Sequence, residues 1–318
     1  MISEVKAFLG QDWTEFEELF VKQLACEIPI LNKVNKYLTE RSGKQLRPAL
    51  CMLAARISVG VCTSGSICCA ATSEMVHTAT LLHDDVVDES DTRRGAPTIS
   101  ALVSPRASVL VGDYWLSRGV KTLVGNCGIE TFGEFAQCID DLSRGEMFQI
   151  EKAASLDTTY DDYIRIISYK TASLFRTAMR TGARNSGAGK AQVEAVDSFA
   201  LHLGLAFQMR DDILDYSPQL AIGKPAGVDI RERKITLPLL GAFENAGPEA
   251  RAKLIAEIDG GRFDGVIPFV AAHGGIAYAQ RVLESETALA VAALAPFKES
   301  KAKEILTRLA ESLCLREA

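Results

Sequence analysis

A chain of 318 residues, 47% hydrophobic and 24% charged, is long enough to bury a large core and is ordinary in composition for a globular protein. Its formal net charge of -6 excludes a surface that as a whole attracts nucleic acid or an acidic membrane, so an anionic ligand must be held by local cations or metal ions. The eight cysteines, at positions 26, 51, 62, 68, 69, 127, 138 and 314, form no CxxC pair, and most lie on helix-like segments as buried thiols do. No basic region followed by an apolar run opens the chain, and no stretch has the apolar length of a membrane span. A reducing, cytoplasmic location is the expectation.

Helical periodicity governs nearly every long segment. It predicts helices over 12–40, 46–58, 66–88, 103–124, 129–154, 160–182, 191–216, 234–244, 248–258, 274–293 and 299–313. The breaks carry turn chemistry: Val59 to Ser66, Gly95-Ala96-Pro97, Gly182 to Gly189, Ser217 to Gly227 and Gly260-Gly261. No shift in composition and no fixed-period repeat divides the chain. The expected architecture is all-α, a helical bundle in a single domain over residues 1–318.

Two helix ends carry the chemistry. Residues 81–95 read Leu-Leu-His-Asp-Asp-Val-Val-Asp-Glu-Ser-Asp-Thr-Arg-Arg-Gly, which puts Asp84 and Asp88 one turn apart on one face of a helix. Like charges at that spacing repel, and a divalent cation between them removes the penalty. Asp85 lies about a third of a turn round, as a supporting group. The arrangement recurs in Phe207-Gln-Met-Arg-Asp-Asp-Ile-Leu-Asp215-Tyr, with Asp211 and Asp215 at the same spacing. Hard oxygen ligands on rigid helices suit Mg²⁺, which takes one or two carboxylates and completes its shell with water and phosphate oxygens. The plainer reading is two solvated acidic helix ends; duplication of the pattern at the ends of two apolar helices weighs against it.

His77 to Gly95 resembles the first aspartate-rich motif of the trans-isoprenyl diphosphate synthases, in particular the long-chain octaprenyl and solanesyl type, and Phe207 to Asp215 resembles the second. Gly43-Lys44-Gln45-Leu46-Arg47-Pro48 is similar to that family's substrate-binding motif, and Lys170-Thr171-Ala-Ser-Leu-Phe175 to its mid-chain Lys-Thr motif. The resemblance covers roughly residues 40–240. It implies the isoprenoid synthase-like bundle around a central cavity, a homodimer, and several Mg²⁺ ions on Asp84, Asp88 and Asp211, with Asp212 and Asp215 completing the second wall. It also implies that Arg93, Lys170, Thr171 and Gln208, with Lys224 and Lys234 as weaker candidates, contact an allylic diphosphate. Lys44, Arg47, His77 and Arg94 would bind isopentenyl diphosphate. Planar guanidinium groups suit multidentate phosphate contacts and lysine supplies a compact charge. The structural alternatives are a hydrogen-bonded core histidine at 77, surface charges at 44 and 47, and a packing role for Gln208.

The implied reaction is head-to-tail condensation of isopentenyl diphosphate with an allylic diphosphate, expected to be farnesyl, to give a long-chain all-trans product for quinone side chains. The alternatives are a short- or medium-chain (geranylgeranyl-type) synthase, a class I terpene cyclase and an inactive regulatory subunit. Product length is expected to depend on Ser73, Val76, Ala79 and Thr80, which place no aromatic block along about 16 Å of helix before Asp84. Two departures from the family pattern stand out. Arg233 occupies a glycine position after the second motif, and Arg210 sits beside Asp211, where it is expected to pair with a carboxylate.

Overall fold

The structure, a computed structural model, describes residues 1–216 and 227–314. Its helices are α1 (Ile2–Leu9), α2 (Gln11–Leu24), α3 (Pro29–Glu40), α4 (Leu46–Val59) and α5 (Ser64–Val87), followed by a small hairpin, β1 (Thr92–Arg93) and β2 (Ala96–Pro97). Then come α6 (Ile99–Leu102), α7 (Pro105–Val124), α8 (Ile129–Ser155) and α9 (Tyr160–Ile167). A π-helical turn over Ser168–Ala172 leads into α10 (Ser173–Asn185) and α11 (Lys190–Asp215). The rest is α12 (Val228–Arg231), α13 (Leu237–Ala246), α14 (Pro248–Asp259), α15 (Val266–Ala272), α16 (Gly275–Ala293) and α17 (Lys301–Glu311). The fold is all-α, as expected.

Caps and prolines set the boundaries that periodicity leaves vague. Thr63 and Ser66 form a reciprocal capping box, so α5 begins two residues before its predicted start at 66. At α7 the Ser104 hydroxyl accepts from the Ala107 N–H and Pro105 follows, so the helix begins two residues after its predicted start at 103. The predicted helix over 12–40 is really two, because the chain turns extended at Ala25 and restarts at Pro29, whose ring cannot continue a preceding helix. The short α6, α12 and α15 carry too few turns for a periodic signal.

Two compact units are present. The first comprises Met1–Ile139, Thr177–Asp197 and Pro296–Leu306; the second comprises Asp140–Arg176, Ser198–Ala295 and the chain from Thr307 onward. In the first unit α5 is buried without a break from Gly65 to Val76, as expected of a helix apolar on every side. Close approaches sustain this: Gly119 of α7 faces Thr72, and a Cβ at Gly182 would overlap the Cys51 carbonyl. Trp115 Nε1 donates to Asn35 Oδ1 at 2.9 Å, and Asn35 Nδ2 donates to the Leu24 carbonyl at 2.7 Å, so both of these buried side chains are satisfied. In the second unit, Leu239, Phe243, Leu254, Ile258, Val266 and Val270 form a core from α13, α14 and α15.

Candidate active site

The first aspartate motif closes α5. Asp84 is half-buried, Asp88 is exposed, and Asp85 points inward at 4% exposure. Arg93 Nε donates to Asp85 Oδ1 at 2.8 Å. The hairpin makes this possible: Arg94 and Gly95 both have positive φ (52° and 75°), the two-residue turn that matches the twist of paired strands. The chain thereby doubles back and returns Arg93 over the helix end. An ion pair with one buried partner orients its arginine, since removing Arg93 would strand the Asp85 charge.

The loop before α4 joins this region. A Cβ at Gly43 would overlap the Arg94 guanidinium, so the glycine lets Arg94 lie directly against it. Gln45 has a left-handed φ of 50° at the start of α4, and Pro48 sits in that helix's first turn, where a missing N–H costs nothing. Lys44 is exposed. The charges of Arg47, Arg94 and Arg93 reach His77 and, with its burial as the larger cause, hold the imidazole neutral well below its usual range. Glu74, one turn before His77, has no sequence signal as a site residue. It is 4% exposed, and its Oε2 has no hydrogen-bond partner among the described residues. Burial raises its carboxyl pKa, against the pull of Arg47, Arg94 and Lys6.

A pH effect follows from His77. The folded chain keeps the ring neutral, while the unfolded chain takes a proton near pH 6.5. The stabilisation is therefore present above that pH and is lost as pH falls below it, by up to about 1.4 kcal/mol per unit. Denaturant midpoints at pH 7 and pH 5 should fall less steeply for His77→Gln than for the native chain. An equal fall in both would mean that His77 titrates alike in the two states.

The second motif closes α11, in the second unit, and repeats the design. Asp211 is exposed and Asp215 half-buried, while Asp212 turns inward at 3% exposure. Instead of an arginine, Asp212 receives neutral donors: the Tyr163 hydroxyl at 2.7 Å and Gln208 Nε2 at 2.9 Å. Burial and the neighbouring Asp229 charge push its pKa up, and the two hydrogen bonds pull it back. Asp215 caps α12, accepting from the Val228 and Asp229 N–H groups at 3.1 Å each. Gly227, with φ at 78°, makes the turn that brings those groups to it.

Lys170 and Thr171 ride on the π-helical turn, which splits the helix predicted over 160–182. Two glycines admit the extra residue of that turn. A Cβ at Gly145 would lie 3.0 Å from the Lys170 nitrogen, and one at Gly204 would lie 2.6 Å from Ala172 Cα. Such turns concentrate at functional sites. Lys170 Nζ pairs with Glu146 at 2.7 Å, and the Thr171 hydroxyl donates to Gln208 Oε1 at 2.7 Å. Lys170, Gln208, Asp212, Asp229 and Lys234 line one open recess in this unit, with Tyr163 and Ile167.

The departures at Arg210 and Arg233 both have structural explanations. Arg210 Nη1 donates to the Ser312 carbonyl at 2.8 Å, past the end of α17, where a carboxylate partner was expected. Arg233 adopts φ of 62°, a region that costs a non-glycine residue about 1 kcal/mol. Its side chain offsets this by bonding the Ala153 carbonyl at 3.3 Å and Asp259 at 2.7 Å, so the loop keeps a glycine-like conformation. Along α5, Ser73, Val76 and Ala79 are 0%, 2% and 0% exposed, and Thr80 alone of the expected product-length residues keeps some exposure. Lys224 lies outside the described residues.

The donors fit a divalent cation that arrives with its substrate. Among the described residues no three acidic, histidine or cysteine side chains converge on one point. Each motif offers two outer carboxylates, which matches a hard cation that draws its other ligands from water and phosphate.

Comparison with known proteins bears on the same residues. The sequence profile of the polyprenyl synthetase family matches residues 28–265. The chain belongs to that family. The octaprenyl diphosphate synthase of Haemophilus influenzae is 36% identical over 314 residues, spanning 97% of this chain and 95% of the relative. The one from Escherichia coli K12 is 32% identical, spanning 99% of each. Among solved structures, a decaprenyl diphosphate synthase from Rhodobacter capsulatus superimposes with a TM-score of 0.92 at 34% identity, covering 99% of this chain and 98% of the other. A polyprenyl synthase from Caulobacter crescentus, complexed with calcium and isoprenyl diphosphate, gives 0.90 at 32% identity over 100% and 98%. Against this family frame the synthase presents three features that periodicity and motif spacing do not reveal: Glu74, the Tyr163 hydroxyl and the π turn.

Proposed function

We propose that this polyprenyl synthetase condenses isopentenyl diphosphate with an allylic diphosphate, farnesyl being the expected primer, to build a long-chain all-trans polyprenyl diphosphate for quinone side chains. The enzyme is a trans-prenyltransferase of the long-chain class, and its family uses divalent metal. One observation carries the reading. Two Asp-Asp-x-x-Asp motifs end two helices, and in both the second aspartate is anchored inward by a side chain from elsewhere in the sequence.

Asp84, Asp88 and Asp211, with Asp215 after its capping role, would hold Mg²⁺. When bound, the ions neutralise the leaving diphosphate, which is the largest electrostatic demand of the reaction. Arg93, fixed by Asp85, and Lys170, with Lys234 and Lys224 as further cations, hold the allylic diphosphate. Lys44, Arg47 and Arg94 hold isopentenyl diphosphate, and neutral His77 contributes one N–H. The allylic C–O bond ionises, the isopentenyl double bond attacks the allylic carbon, and a proton leaves to the released diphosphate. No side-chain nucleophile is required. Thr80, small and partly exposed, leaves room for a growing chain, and apolar walls keep water from the cation.

Several supporting features set its context. The likeness to relatives over 97–99% of the chain supports reading residues 1–318 as one functional domain. All eight cysteines are free thiols, and among the described residues no helix is long and apolar enough to cross a membrane. Both fit a cytoplasmic enzyme. A homodimer, which the family resemblance implies, would show in light scattering as twice the chain mass.

Purified protein given farnesyl and isopentenyl diphosphates should make long-chain product with Mg²⁺ and none after chelation. Elongation that survives chelation, or a cyclic hydrocarbon product, would overturn the reading.

A further inference from the structure

Lys170, which the prenyl-transfer reading gives to the allylic diphosphate, already has an acid partner within its own unit. Its Nζ lies 2.7 Å from Glu146 Oε1 on α8. The second oxygen of that carboxylate, Oε2, accepts from Gln149 Nε2 at 3.4 Å. Lys170 and Gln149 both line the recess, so one glutamate draws two of its polar groups back to the α8 wall. Its place is set by the backbone beside it. A Cβ at Gly145 would lie 2.9 Å from Tyr169 Cβ and 3.0 Å from the Lys170 nitrogen, so α8 lies hard against the π turn one residue before Glu146. The side chains of Lys170 and Glu146 keep 30% and 34% of their surface. A pair this open adds little to the fold and can be exchanged, whereas a sealed pair could be broken only at great cost. Lys234, which also lines the recess, is paired in the same way with Glu232.

We propose that Glu146 is a positioning residue that acts through Lys170 as a competing counter-ion: it draws the ammonium back from the expelled diphosphate and so speeds its departure. This deepens the prenyl-transfer reading and rests on it. In a head-to-tail addition the new chain keeps the diphosphate of the isopentenyl unit, while the allylic diphosphate is expelled. The expelled group still occupies the place that the elongated chain must take for the next round. A long-chain synthase repeats this exchange many times, so a site that holds diphosphate too well stalls itself. Glu146 supplies the opposing charge. A diphosphate oxygen in hydrogen-bond contact with Lys170 Nζ would stand within about 6 Å of the Glu146 carboxylate. Two unit charges at that separation near a surface repel strongly enough to change affinity roughly 10-fold or more. The opposite reading, that Glu146 aims Lys170 at the substrate, predicts weaker binding once the carboxylate is gone. Nothing in the Lys-Thr motif points to this residue, because it lies on another helix.

The test is steady-state kinetics on the full chain with Mg²⁺, farnesyl diphosphate and isopentenyl diphosphate, with inorganic diphosphate added as inhibitor. Glu146→Gln keeps the size of the side chain and can still accept from Gln149, but it removes the charge. It should tighten inhibition by inorganic diphosphate roughly 10-fold and lower KM for farnesyl diphosphate, with KM for isopentenyl diphosphate within about two-fold of native. Glu146→Asp keeps the charge, so it should stay within about three-fold of native in all three constants. The melting temperature of metal-free protein reports any purely structural effect separately. If inhibition by inorganic diphosphate is unchanged or weaker in Glu146→Gln, or if Glu146→Asp behaves like Glu146→Gln, the proposal is wrong. Should Glu146→Gln fail to fold, Glu146→Met, also uncharged and at home in a helix, takes its place under the same criteria. A native chain that elongates nothing would defeat the functional reading instead, and it would show before any variant is compared.

Discussion

Asp84→Asn is expected to lower the turnover of isopentenyl addition by about 1000-fold or more. Asp84 and Asp88 lie one turn apart at the C-terminal end of α5, and the proposed metal site draws on both. The amide that replaces Asp84 is a poor ligand for a hard cation. Steady-state turnover with Mg²⁺ measures the loss, and melting curves in chelator check that the variant folds. Activity within ten-fold of native would remove Asp84 from the metal site.

Thr80→Phe is expected to shorten the product by at least one isopentenyl unit with little loss of stability. Thr80 lies four residues before Asp84, on nearly the same side of α5, and keeps part of its surface open. Ala79→Phe should also shorten the product, but at a cost to folding. Its position is 140° round the helix from Asp84 and fully closed, so a ring there overpacks the core by about 1–3 kcal/mol. Chromatography of the dephosphorylated products against polyprenol standards reads the length, and thermal melting reads the cost. If both variants made native-length chains, α5 would not wall the product path.

Most of the proposed site can be read from the sequence because its motifs are local. The aspartate pairs are four residues apart, the arginines adjacent, and the Lys-Thr motif contiguous, so helical geometry alone places each set on one face. Asp85 was legible as a supporting group for the same reason. The spacing offers Asp212 to the second metal wall and gives no sign of the inward turn it shares with Asp85. What hid the difference was the partner: Asp85 meets Arg93 eight residues on, whereas Asp212 meets Tyr163 from a helix far away in sequence. Glu74 was unreadable because a glutamate on an apolar helix carries no spacing signal, and only folding brings Arg47 and Arg94 near it. Boundaries moved where a side-chain cap or a proline, neither of which periodicity registers, fixes the first residue, as at Thr63 and Pro29.

The π turn at Ser168–Ala172 leaves the face of α10 out of phase with that of α9. One surplus residue in a helical repeat rotates everything beyond it by about 100°. A wheel drawn unbroken from Tyr160 to Asn185 therefore assigns the wrong neighbours to every side chain past Ala172. A homologue lacking that surplus residue could match Lys170 and Thr171 letter for letter and still aim them elsewhere, so alignment alone does not transfer their roles.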